Sequence, residues 1–240
     1  MATGSQVDEC ATIPAVVTGT YEPKGKYIKL GDLEQCYITG SPSSPRGIIF
    51  IYDAFGYTPQ TLQAADLLST ALNAVVLIPD YYKGGALQPE WVPADTLETE
   101  KHREHFRKVT ANVPNNLPVV KRSLEDAKGL CPEVGEKWGV WGLCWGGKIA
   151  ALSSQKDTPF KVSGQGHGGG SLREDALAIS IPHICLAAPS DDKDGGIAAY
   201  KEVLPQPPHH VEIYEKMFHG WMGAKVDLEN EEQRGEYIRG

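Results

Sequence analysis

The pentapeptide Gly142-Leu143-Cys144-Trp145-Gly146 sets a cysteine between two glycines, after the apolar run "KWGVWG" and ahead of an amphipathic helical pattern. A glycine–x–nucleophile–x–glycine pattern at a strand-to-helix junction has a mechanical reason. The chain must turn sharply there, aiming the central side chain out of the sheet, and the residues two before and two after come close enough to require glycine. The start of a helix also favours a thiolate over a thiol. Most free cysteines are small buried hydrophobes. The flanking glycines, strand and helix make Cys144 a candidate nucleophile instead.

A thiol nucleophile needs a base, and the base needs an orienting acid. Downstream of Cys144 lie His167, His183, His209, His210, His219, Asp191 and Asp192. His219, in the glycine-flanked "MFHGWM", follows the last strand-like run and is the expected base. His183, His209 and His210 stand at strand beginnings, away from the carboxyl edge, and read as surface histidines. His167 is on the correct edge but early in the chain, and is expected to line the pocket. Asp191 and Asp192 both follow "HICLAA"; the loop register favours Asp192 and leaves Asp191 open.

These side chains need a scaffold. Apolar runs "IIFIYD", "AVVLIPD", "KWGVWG", "KVSGQGH", "HICLAA" and "HVEIYE" alternate with helical patterns. That alternation predicts a mainly parallel central sheet with helices on both faces, an α/β fold. "YIKL" and "QCYITG" read as a hairpin at one edge. Thr58 and Pro59 start a helix as N-cap and first helical residue. The stretch "YYKGGALQPEWVPADTLETEKHREHFRKV" reads as a charged excursion above the sheet. Residues 1–20 read as an irregular arm preceding a single domain that extends to residue 240. In such sheets ligands bind at the carboxyl ends of the strands, where Cys144, His167, Asp191, Asp192 and His219 all fall.

Composition narrows the function. The chain has 240 residues and a formal net charge of −8, which argues against nonspecific nucleic-acid binding. No apolar run approaches the ~18 residues of a membrane span, and the N-terminus lacks the basic and apolar segments of a secretory signal. Five cysteines at irregular spacing, without C-x-x-C, argue against disulfides or a zinc site and for a reducing, cytoplasmic setting. No metal and no cofactor is expected. A monomer or homodimer acting on a small molecule fits these limits.

The ordered set "YDAFG", "LIPDYYKG", "GLCWGG", "APSDD" and "FHGWM", from about Tyr27 to Lys225, resembles the dienelactone hydrolases (carboxymethylenebutenolidases) of the α/β-hydrolase fold, particularly fungal-type members. The resemblance implies hydrolysis of lactones or activated esters through a thioester, by a triad of Cys144, Asp192 and His219. It implies oxyanion donors at the Trp145 and Ala54 N–H groups. It places Asp53 where the family usually has a glutamate that holds the resting thiol. Phe55, Tyr82, His167 and Trp221 join Asp53 as expected pocket residues. Where the family binds a substrate carboxylate with arginine, this chain has Gly223 and Lys225; Lys83, Arg103 and Arg107 read as solvated loop charges. The family fold closes with a helix on the sheet, and "NEEQRGEYIRG" is short and polar for that role. The rival readings are a binding protein without turnover and a redox sensor using Cys144.

Overall fold

The structure, a computed structural model, describes residues 15, 21–192, 195–204 and 208–240. The expected arm falls almost wholly outside these. Eight strands form one sheet in the order β1-β2-β4-β3-β5-β6-β7-β8. They are β1 (Lys26–Leu30), β2 (Leu33–Thr39), β3 (Gly47–Ile51), β4 (Val75–Pro79), β5 (Trp138–Leu143), β6 (Val162–Gly166), β7 (His183–Ala187) and β8 (His210–Ile213). β1 and β2 form the expected antiparallel hairpin, and β2 joins β4 antiparallel. All pairings from β4 to β8 are parallel. β4, "VVLIP", is buried at every position, as a strand covered on both faces requires.

Among the described residues the α-helices are α1 (Pro59–Leu72), α2 (Leu97–His105), α3 (Val113–Leu130), α4 (Trp145–Leu152), α5 (Arg173–Ala178), α6 (Gly196–Val203) and α7 (Glu231–Arg239). Thr58 caps α1, its hydroxyl accepting from the Thr61 N–H. The excursion is ordered into α2 and a following π-helical turn (Phe106–Thr110). It docks through aromatic side chains: Tyr82 lies against Phe106 and Trp145 with ring centroids 5.0 and 4.9 Å apart. The Trp145 indole donates to the Ala111 carbonyl at 2.7 Å.

The chain does end in a helix. α7 anchors to α1 through Tyr237, whose hydroxyl donates to the Gln60 carbonyl at 2.5 Å. On the sheet, Val162 and Ile184 are about half exposed. His183 departs from expectation. It is fully buried at the start of β7, with Nδ1 2.8 Å from the Ser163 hydroxyl, and burial holds its pKa down to about 3. A polar residue within an apolar run is compatible with burial when a neighbouring strand supplies its partner.

Candidate active site

Cys144 sits between β5 and α4 with φ 54° and ψ −116°, a region costly for a side-chain-bearing residue, by about 1–3 kcal/mol. A Cβ on Gly142 would overlap the Gly146 carbonyl oxygen, and one on Gly146 would overlap the Ile51 carbonyl oxygen. The two glycines therefore allow the elbow. Hydrogen bonds from its own backbone hold it in place: Cys144 N–H donates to Gly166 O at 3.1 Å, and Gly169 N–H donates to Cys144 O at 2.9 Å.

His219 Nε2 lies 3.2 Å from Cys144 Sγ. Its Nδ1 lies 2.6 Å from Oδ1 of Asp191. Asp191, and not Asp192, is therefore the acid on the histidine. The expectation for Asp192 failed on register: residues Pro189–Asp192 form a tight 3-10 turn directly after β7. Asp191 turns inward within it, and its other oxygen accepts from the Ala188 N–H at 2.7 Å. Asp192 faces the next helix, where Oδ1 accepts from the Ile197 and Ala198 N–H groups at 2.7 and 3.0 Å. It caps α6. All three members of the relay are buried, where a hydrogen bond to an ionised group is strongest.

Two further side chains position this relay. The Ser190 hydroxyl accepts from the His219 backbone N–H at 2.9 Å. Asp53 braces the first loop to the histidine loop, accepting from Phe55 N–H with one oxygen and from Ala224 N–H with the other, both at 2.9 Å. Ser190 adjoins a pair of acids in the sequence, but its backbone partner lies 29 residues away and has no local signature.

The oxyanion donors expected from sequence sit together. β3 and β5 pair Ile51 with Gly142, so Ala54 and Trp145, each three residues on, leave adjacent strands at one edge. Trp145 opens α4, and a first-turn N–H has no acceptor within its helix. The Ala54 peptide is held by its carbonyl, which accepts from Leu87 N–H at 2.8 Å.

The expected pocket residues divide. His167 is fully buried beside His219, the rings edge-to-face with centroids 5.2 Å apart. Phe55 is buried in the Ala54 loop. Tyr82 belongs to the aromatic cluster over Trp145. Trp221 is a core residue: it is fully buried and packs on Tyr214 at 4.3 Å. Lys225 is buried and its stem packs against Gly220. Arg103 pairs with Glu100 at 3.3 Å, and Lys83 is exposed.

Behind the elbow lies an ion pair absent from the sequence reading. Lys148, on α4, bonds Asp175 on α5 and donates to the Gly170 carbonyl at 3.2 Å. Both side chains are buried. Removing one partner of such a pair typically costs ~3–5 kcal/mol. Lys148→Met is accordingly expected to lower unfolding stability by about that much, measured as the shift in urea midpoint at unchanged slope. A change below about 1 kcal/mol, the range of exposed pairs, would show that the pair is not what holds α4 to the 167–170 loop.

A dienelactone hydrolase family model matches residues 35–236. The chain belongs to the dienelactone hydrolase family. Among similar sequences, an uncharacterised AIM2 family protein of Schizosaccharomyces pombe is 28% identical over 219 residues, covering 89% of this chain and 86% of its own length. The human carboxymethylenebutenolidase homolog is 25% identical over 166 residues, 65% of this chain and 61% of that protein. The dienelactone hydrolase structure from Anabaena variabilis superposes with a TM-score of 0.59 at 13% identity, covering 90% of this chain and 94% of that one. The fold is thus the α/β-hydrolase fold of dienelactone hydrolases, and membership implies a hydrolase. No helix among the described residues is long and apolar enough to cross a membrane.

Proposed function

We propose that this protein hydrolyses lactones or small activated esters through a thioester on Cys144. The observation that carries the reading is the continuous relay from Cys144 Sγ through His219 to Asp191, with distances of 3.2 and 2.6 Å. His219 Nε2 takes the thiol proton and Asp191 fixes the tautomer and stabilises the imidazolium. The thiolate attacks the carbonyl, and the oxyanion falls to the Ala54 and Trp145 N–H groups. The leaving alcohol, or the ring oxygen of a lactone, takes the proton from His219. Water then cleaves the thioester. A redox sensor needs a reactive thiol but no acid–base pair behind it, so the relay favours the hydrolase. The buried free thiols Cys36, Cys131 and Cys185 suit a reducing, cytoplasmic setting.

Cysteine acylation is the test. Mixing with p-nitrophenyl acetate should release a burst of one nitrophenolate per protein and leave an acetyl group on Cys144, read by peptide mass. Burial pushes the Cys185 thiol up to about 12 and raises those of Cys36 and Cys131, so iodoacetamide at neutral pH should stop turnover with Cys144 modified before these three. Turnover that survives full alkylation of Cys144 would remove Cys144 as the nucleophile.

A further inference from the structure

His167 is a buried polar group beside the relay that this chemistry leaves without a task. Neither ring nitrogen makes a hydrogen bond to any group among the described residues, although the side chain is fully enclosed. A neutral imidazole carries one donor and one acceptor. Leaving such groups buried and unbonded typically costs about 1–3 kcal/mol each, and in native structures an orphan of this kind points to a water, an ion or a catalytic role. The backbone there is also uncommon, with φ +39° at a residue that is not glycine.

Its placement is tied to the nucleophile. β5 and β6 pair Leu143 with Gly166, so His167 leaves the sheet beside Cys144. The loop is fastened to Cys144 on both sides, by Cys144 N–H on Gly166 O and by Gly169 N–H on Cys144 O. Lys148 holds its far end at Gly170. The His167 ring meets that of His219 edge-to-face at 5.2 Å and 84°. Burial, and then the charges of His219 and Lys225, hold its pKa well below the ordinary histidine value. The ring therefore stays neutral and keeps an acceptor nitrogen.

We propose that His167 is the second anchor of the water that hydrolyses acyl-Cys144, a role that rests on the thioester reading above. Once sulfur is acylated, His219 Nε2 loses its thiol partner and accepts a hydrogen from water. One anchor leaves that water free to rotate. A second acceptor, on His167, takes its other hydrogen, so that the oxygen lone pair faces the thioester carbonyl. The water oxygen bonds to the carbonyl carbon and its proton passes to His219. The C–S bond then breaks, and the thiolate leaves and recovers the proton from His219. The products are a carboxylic acid and free Cys144. Acylation uses no such water, so only deacylation depends on His167.

Burst kinetics with p-nitrophenyl acetate separate the steps. In His167→Leu the burst should keep its amplitude and, within about threefold, its rate, since the triad itself is untouched. The steady rate after the burst should fall by on the order of a hundredfold, the scale of a misplaced reactant, with acetyl-Cys144 accumulating. His167→Gln, which retains an acceptor, should recover part of that loss. Hydroxylamine, which attacks thioesters without being aimed by a base, should restore turnover in His167→Leu. An unchanged steady rate in both variants overturns the proposal, as does a burst that slows in parallel with it. Ester turnover in Cys144→Ala equal to that of the unmodified protein overturns the thioester reading itself, a result distinguishable from either.

Discussion

Cys144→Ala is expected to lower kcat/KM for an activated ester by about 10⁴-fold or more, the scale seen when the nucleophile of a triad is removed. The variant keeps the Ala54 and Trp145 N–H groups proposed as oxyanion donors, so a residual rate above that of water should persist. It loses the sulfur that lies 3.2 Å from His219 Nε2, the group proposed to form the covalent intermediate. The fold should survive, because alanine fits the elbow space and Gly142 and Gly146 are unchanged. Matching unfolding midpoints with the ester rates down by that factor confirm the assignment. Activity within tenfold of the parent would mean that hydrolysis proceeds elsewhere or without a covalent step.

The second large effect separates two neighbouring aspartates. Asp191→Asn preserves size but replaces the acceptor at 2.6 Å from His219 Nδ1 with a neutral amide. The imidazole can then settle in the wrong tautomer, and the imidazolium formed during thiol deprotonation loses its counter-charge. A drop in kcat on the order of 10⁴ is expected where a serine attacks. A thiol ionises more readily and depends less on the base, so for Cys144 the fall should be smaller, about 10²–10³, the lower part of the range of general acid–base contributions. Asp192→Ala, one residue on, should leave kcat within about threefold and instead lower stability by about 1 kcal/mol, the worth of a helix N-cap. Steady-state rates and urea unfolding on both variants read the two effects. Comparable catalytic losses at both positions would contradict the division seen in the structure.

Much of the architecture was legible because it rests on local chemistry. Continuous apolar runs such as "VVLIP" are what a doubly covered parallel strand requires, and Thr58-Pro59 is a helix start in any context. Cys144 was legible for the same reason: the glycines that permit its strained backbone lie within two residues of it. His219 was readable from chain order and from the glycine beside it.

What sequence reading missed depended on orientation within a turn or on contacts between distant segments. Asp191 and Asp192 share composition, neighbours and spacing; one turn of 3-10 helix decides which faces His219 and which caps α6. Trp221 looked like a pocket residue beside the histidine, but the return of the chain at Tyr214 draws it into the core. His183 looked exposed until Ser163, on the next strand, supplied its partner. The Lys148–Asp175 pair joins residues 27 apart on separate helices, and its charges look like ordinary surface charges when read along the chain. The sequence by itself determined the order of elements, the elbow and the candidates for nucleophile and base, because backbone sterics and hydrophobic period act over a few residues. Only the tertiary structure decided which acid completes the relay, which polar groups are enclosed and that His167 stands unbonded beside His219. Those outcomes depend on the register between strands and on burial, which exist only once segments far apart in the chain are packed together.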